Sequence, residues 1–273
     1  MRPRDYLLDL ANHPNLRWVR PLLERIPLVR RIYSGWVRTH PIDRLYRTET
    51  SGTIPVAQLG VDAAIIPFIK AYGGSQPSIV RAALSVLPGL ERYNFIDLGC
   101  GKGRALIVAA QFPFRRILGV ELSPNLVRIA RGNMEKVRQH HPAASHIEVV
   151  EGNAVNFLLP AGKIVLFLYH SFGEQLISEL LKNIERGLAR DIEHLFLVYY
   201  NPVWGTLFDR SRLLGRWYAE VLPYDPEELG FGPGKEETLV IWQIVRGALQ
   251  PHHGDRNRRI VVDMDLENAY LSR

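Results

Sequence analysis

From residue 94 onward, short and nearly all-apolar runs alternate with longer segments whose apolar residues recur every three or four positions. The first pattern fits a strand buried on both faces, and the second fits a helix with one apolar stripe. "NFIDL" (94–98), "RILGVEL" (116–122), "HIEVVEG" (146–152), "KIVLFLYH" (163–170) and "HLFLVYYN" (194–201) predict five strands. Helices are predicted from about 103 to 112, from Pro124 to 140, and over 173–188. Ser123 before Pro124 supplies a capping hydroxyl and then a residue suited to the first helical position. "RWYAEVLPY" (216–224) and "TLVIWQIVR" (238–246) predict two further strands around the turn-rich "DPEELGFGPGKEE", an antiparallel pair ending the sheet. Strand–helix units with short links imply an α/β, doubly wound, Rossmann-like seven-stranded sheet, mostly parallel with an antiparallel last strand. Residues 49–90 carry loop signals ("TETSGTIP", "YGGSQP") and one helix, "SIVRAALSVL" (78–87). They are expected to cap the carboxyl edge of the sheet.

Composition narrows the class. A chain of 273 residues, 47% hydrophobic and 23% charged, suits one large globular α/β domain with appendages. No run of 18 or more uncharged apolar residues occurs, so no membrane span is expected. Arg2, Arg4, Asp5 and Asp9 interrupt any secretory apolar core, which makes a cytoplasmic location the expectation. The single cysteine, Cys100, excludes an intramolecular disulfide and a cysteine zinc cluster. The net charge of +6 belongs entirely to residues 1–48, where ten arginines face four acids. Three parts are therefore expected: a basic helical N-terminal arm (1–48), the α/β domain (49–248) and a polar tail (249–273). Within the arm, "LRWVRPLLERIPLVRRIYSGWVRTH" (16–40) alternates Arg with Leu, Ile, Val and Trp. It has two readings, a contact with an anionic surface or short helices packed on the domain and broken at Pro21 and Pro27.

The candidate chemistry lies just after the first strand, in "NFIDLGCGKGRALIVAA" (94–110). Ligands of doubly wound sheets sit at the carboxyl ends of the strands, beside the switch point. Gly99, Gly101 and Gly103 allow positive φ and close approach of a ligand to backbone. The spacing departs from the dinucleotide fingerprint G-x-G-x-x-G, because Arg104 stands where its third glycine belongs. An inward Arg104 would obstruct close helix–strand packing. The phosphate-loop pattern is also absent, since Gly103 follows Lys102 where Ser or Thr is required. The turn thus suits a nucleoside-like ligand without a pyrophosphate. Glu121, ending the second strand, could accept from both ribose hydroxyls. Asn153 and Ala154, after the third strand, could meet an adenine edge and ring nitrogen.

These stretches resemble a known family. "FIDLGCGKGRALIVAA", "GVELSP", "EGNAV" and "VLFLYHSFG" are similar to motifs I, post-I, II and IV of the class I S-adenosylmethionine-dependent methyltransferases, over roughly residues 70–246. The resemblance implies S-adenosylmethionine as cofactor. It places Asp97 near the amino-acid portion of that cofactor, the Gly99–Gly101 backbone beneath it and Glu121 on the ribose. Asn153 falls where the family usually has Asp for the adenine amino group. The implied contact set is Asp97, Gly99, Cys100, Gly101, Gly103, Glu121, Leu122, Asn153, Ala154 and Tyr169. "DLGCGKGRALIVAA" and "SQPSIVRAALSVLP" further resemble the subgroup around the non-SET histone-lysine methyltransferases and their bacterial relatives. Tyr169-His170-Ser171-Phe172 departs from the Tyr-Asn-Pro-Phe that often ends the fourth strand there.

His170 and Tyr169 are the candidate catalytic residues, and the ordinary imidazole pKa of about 6.5 suits His170 as a base. Tyr199, Tyr200 and Asn201 could line the same cleft. No Asp/Asn-Pro-Pro-Tyr/Phe sequence occurs, which argues against methylation of a DNA base amine. No clustered metal ligands are expected. Protein lysine is the first acceptor to consider and a small molecule the second. Two other classes stay open at this level: a nicotinamide-dependent oxidoreductase, and a non-catalytic partner module working through the arginine-rich arm.

Overall fold

A computed structural model of the chain describes residues 39–140, 146–169, 172–232 and 234–246. The arm before residue 39, the tail from 247, His170 and Ser171 lie outside the described residues. Seven strands form one sheet: β1 (Tyr93–Leu98), β2 (Arg116–Glu121), β3 (Ile147–Glu151), β4 (Gly162–Tyr169), β5 (Ile192–Tyr200), β6 (Leu214–Pro223) and β7 (Glu236–Ile244). Their order is β3-β2-β1-β4-β5-β7-β6. β1 pairs in parallel with β2 (Phe95 opposite Ile117) and with β4 (Phe95 opposite Val165). β7 runs antiparallel between β5 and β6. The strand order reverses between β1 and β4, so the connections leaving those two strands diverge and open a crevice at their carboxyl ends.

Helices cover both faces, because successive strand residues point to opposite sides. Phe95 and Val165 pack with α2 (Pro77–Ser85), α3 (Arg104–Ala109) and α4 (Pro124–His140). Ile96, Leu98 and Leu166 pack with α5 (Glu174–Leu188) and α6 (Gly205–Asp209). Each such fully buried side chain contributes about 1.5–3 kcal/mol relative to exposure. Ile164 to Leu168 of β4 are all buried, which is why that strand carries no alternating polar residue. Ser123 caps α4 as its position predicts, its Oγ accepting from Leu126 N–H at 3.3 Å.

Residues 39–75 form a strap across the carboxyl edge, beginning with α1 (Pro41–Tyr46). Asp43, buried, is its knot. One carboxylate oxygen accepts from the Thr48 hydroxyl at 2.7 Å and from the Thr50 N–H and hydroxyl, each at 2.8 Å; the other accepts from Ser51. Burial alone would push the Asp43 pKa up, but the Ser51, Thr48 and Thr50 hydrogen bonds and the Arg104 charge outweigh it and hold it low. Glu49 N–H donates to Asn133 Oδ1 on α4 at 2.8 Å, and Lys102 Nζ donates to Ser51 O at 2.9 Å. Residues 39–48, the end of the basic stretch, are therefore part of the packed domain wall.

Candidate functional site

The strap and the sheet edge enclose a cavity of about 400 Å³ at the crevice between β1 and β4. Asp97, Gly99, Cys100, Gly101, Glu121, Leu122, Asn153, Ala154 and Tyr169 all line it. Each lies near the end of one of four strands that are neighbours in the sheet, which is how a dispersed sequence set becomes one wall. Gly103 does not line the cavity. It stands at the start of α3 with φ of 85°.

The turn after β1 is held in the left-handed region at three places: φ is 78° at Gly99, 56° at Gly101 and 85° at Gly103. Only glycine takes that conformation without strain. The space beside Gly101 is filled by the protein itself, because a Cβ there would run into the Tyr72 ring. The close-packing glycine is also elsewhere than the sequence suggests. It is Gly119 on β2, where a Cβ would meet Cys100 and Leu106.

Arg104 is buried, yet it does not obstruct that packing. Its guanidinium turns to the strap, with Nε on the Thr50 hydroxyl at 2.8 Å and Nη2 on Thr50 O at 2.7 Å. Nη1 reaches Gly74 O at 3.1 Å and Ser75 O at 3.4 Å. Tyr72 adds a bond from its hydroxyl to Thr50 O at 2.7 Å. Arg104 thus pins two segments of the strap, at Thr50 and at Gly74–Ser75, against the glycine turn, and Gly74 must lack a side chain to admit its guanidinium. Tyr72, Ser75 and the apolar loop through Phe68 and Ile69, all of which line the cavity, were not singled out by sequence. Their signal was the turn "YGGSQP", which marks a loop without saying what the loop covers.

The two acids differ in their partners. Glu121 Oε2 accepts from Gly101 N–H at 2.8 Å and Oε1 from Ser123 N–H at 2.9 Å, so the carboxylate bridges two turns and is fixed before any ligand arrives. Burial raises its pKa, while the backbone bonds from Ser123, Gly101 and Leu122 pull the other way. Asp97 has no hydrogen-bond partner among the described residues. Burial, and then the Glu121 charge, push its pKa well above the ordinary carboxylate range. A buried, unpartnered carboxylate beside a second one is a place for a cation. Asn153 is exposed, its Oδ1 accepting from Val155 N–H at 3.0 Å, while Ala154 is buried beneath it.

Tyr169 stacks on Tyr200 with ring centroids 4.4 Å apart. Burial, followed by the charge of Glu237, pushes the Tyr169 hydroxyl pKa up, so it stays protonated near neutrality. Tyr199 and Tyr200 are fully buried and Asn201 nearly so, and none lines the cavity, against the expectation that they share the cleft wall. Tyr199 and Tyr200 end β5 and pack into opposite helix layers, and Asn201 follows the strand. His170 falls outside the described residues. Among the described residues no helix is long and apolar enough to cross a membrane.

Strand order, glycine turn and the acids at successive strand ends define a class I methyltransferase architecture. Comparison with known proteins agrees: the family model described as a methyltransferase domain matches residues 95–191. The chain is 29% identical over 134 residues to a protein-lysine N-methyltransferase of Saccharolobus islandicus, covering 48% of this chain and 80% of that one. It is 32% identical over 88 residues to a trans-aconitate 2-methyltransferase of Afipia carboxidovorans, covering 32% of this chain and 30% of that one. Among solved structures, an O-methyltransferase from Bacillus cereus in complex with SAH is similar, at 15% identity and a TM-score of 0.44, over 62% of this chain and 80% of that one. The matched residues 95–191 carry a methyltransferase domain, with S-adenosylmethionine as its methyl donor. A nicotinamide oxidoreductase and a non-catalytic partner module are thereby set aside.

Proposed function

We propose that the protein transfers the methyl group of S-adenosylmethionine to an amine nitrogen, with a protein lysine as the acceptor. The observation that carries the cofactor placement is the unpartnered Asp97 carboxylate, buried beside the glycine turn and next to Glu121 in one cavity. Asp97 takes the ammonium of the cofactor's amino-acid portion. Glu121, already oriented by two backbone donors, has lone pairs left for the ribose hydroxyls. The Asn153 amide and the Ala154 backbone meet the base. The bound sulfonium supplies an electrophilic methyl, so the chain's own task is alignment and exclusion of water. The strap performs the second part, with Phe68, Ile69 and Tyr72 forming its inner surface. Tyr169 holds the acceptor as a wall and hydrogen-bond donor, since its raised pKa keeps its proton in place. His170 follows it in the chain and is assigned the base that takes the proton from an incoming ammonium.

The lysine acceptor is supported by the span of the match: 80% of the lysine methyltransferase against 30% of the trans-aconitate enzyme. The test is transfer of tritiated methyl from S-adenosylmethionine into a cell lysate, fractionated into protein, RNA and small molecules. Label in acid-stable methyl-lysine of protein is the expected result. Label confined to small molecules would replace the lysine reading with the second one, and label in RNA would end both.

A further inference from the structure

The buried acids of this chain are not alike. Asp43 is satisfied by hydroxyls and faces Arg104. Glu228 caps the start of α2 through the N–H and hydroxyl of Ser78. Asp97 and Glu121 face the cofactor cavity. Glu237 remains. It is only 5% exposed, and among the described residues its one hydrogen-bond partner is the Tyr224 hydroxyl, at 2.8 Å from Oε1. Among the described residues no basic group bears on it, and burial holds its pKa above the usual range.

Topology puts this acid at the reacting edge. β7 is antiparallel, so it starts where β4 and β5 end: Asn201 N–H, just past β5, donates to Thr238 O at 2.8 Å. From the cavity inward, Tyr169 lines the wall, Tyr200 stacks on it at 4.4 Å, the Tyr200 hydroxyl faces that of Tyr224, and Tyr224 donates to Glu237. The Glu237 charge is felt at the Tyr169 hydroxyl. Beside Tyr224, next to Gly232, the fully buried Gln76 has an Nε2 with no hydrogen-bond partner among the described residues. Arg104 on the other side is occupied by Thr50, Gly74 and Ser75.

An uncompensated buried carboxylate costs several kcal/mol, and aromatic faces attract ammonium groups. We propose that Tyr169, the cavity-facing end of the Tyr169–Tyr200–Tyr224 row that Glu237 backs, forms the acceptor subsite and selects a cationic amine. The assignment rests on the methyltransferase reading above. Glu237 acts through Tyr224 and through its field, as a positioning residue that sets specificity without touching the methyl group.

The probes are n-butylammonium chloride, n-butanol and sodium butyrate, titrated at constant ionic strength into the full chain saturated with S-adenosylhomocysteine. Thermal melting and calorimetry read binding. Butylammonium is expected to stabilise the wild-type complex, with butanol and butyrate without effect. Glu237→Gln is expected to weaken butylammonium binding by about tenfold or more, the equivalent of roughly 1.4 kcal/mol. Tyr224→Phe, which removes the hydroxyl donor, gives a second readout should Glu237→Gln fail to fold. No response to butylammonium, an equal response to butanol, or unchanged selectivity in a folded variant overturns the subsite. Absence of S-adenosylhomocysteine binding, measured before any amine is added, overturns the methyltransferase reading and this one with it.

Discussion

Glu121→Gln tests the proposed contact between the sheet edge and the cofactor's sugar. The wild-type carboxylate accepts Gly101 N–H on one oxygen and Ser123 N–H on the other. Glutamine keeps one acceptor and sets an amide NH2 against the remaining backbone N–H. One buried donor is left unmet, which costs about 1–3 kcal/mol. Part of that is offset, because the carboxylate is itself disfavoured by burial. A net loss of about 1 kcal/mol in folding stability is expected. Cofactor binding loses more. One of two charge-assisted bonds to the ribose hydroxyls disappears and the other is weakened, together about 1.5–3 kcal/mol, or roughly 10- to 150-fold in Kd. Calorimetry with S-adenosylhomocysteine measures the second number and urea unfolding the first. A double-mutant cycle completes the test: 5′-methylthioadenosine is compared with its 2′,3′-dideoxy analogue on both proteins. The penalty for removing the hydroxyls should be large on wild type and nearly absent on the variant. A Kd within twofold of wild type in a folded variant, or an equal dideoxy penalty on both proteins, would show that Glu121 only braces the turn.

Arg104→Lys should lower unfolding free energy by about 2–4 kcal/mol, because an ammonium reaches at most two of the four acceptors the guanidinium spans. Urea denaturation checks this, and a change under about 0.5 kcal/mol would mean the strap is held by other contacts. Cofactor affinity should rise with pH through the raised pKa of Asp97, since the ammonium needs the carboxylate and binding below that pKa must expel a proton. Calorimetry in buffers of different ionisation enthalpy counts that proton; no release at any pH would remove Asp97 from the site. His40, whose pKa is lowered to about 3 by burial and by Arg104, stays neutral in the fold while the unfolded chain protonates it. Its contribution to stability is present above about pH 6.5 and is lost as pH falls toward 3, by about 1.4 kcal/mol per pH unit. The stability difference between wild type and His40→Asn should therefore depend on pH over that window, and a flat difference would contradict the burial of a neutral ring.

What the sequence by itself determined was everything local. Apolar runs such as Ile164 to Leu168 fit strands covered on both faces, and the Ser123-Pro124 pair favours a helix start whatever the chain packs against. The glycine turn was legible because positive φ narrows the residue choice, and the resemblance of its motif supplied a ligand. The partners of each side chain were decided in three dimensions. Arg104 looked misplaced beside the turn, yet its four acceptors lie 29 to 54 residues earlier in the chain. Gly101 suggested room for a ligand, and Tyr72 occupies it. Residues 39–48 share the charge of the basic arm, yet Asp43 knots them to the strap that covers the sheet edge. Glu237 gave no sign in a polar turn, and became a buried acid at the reacting edge only because β7 runs antiparallel and starts there. Periodicity and turn chemistry act within a few residues and are written in the chain. Burial of charge and the filling of space depend on which distant segments meet, and only the folded sheet brings those together.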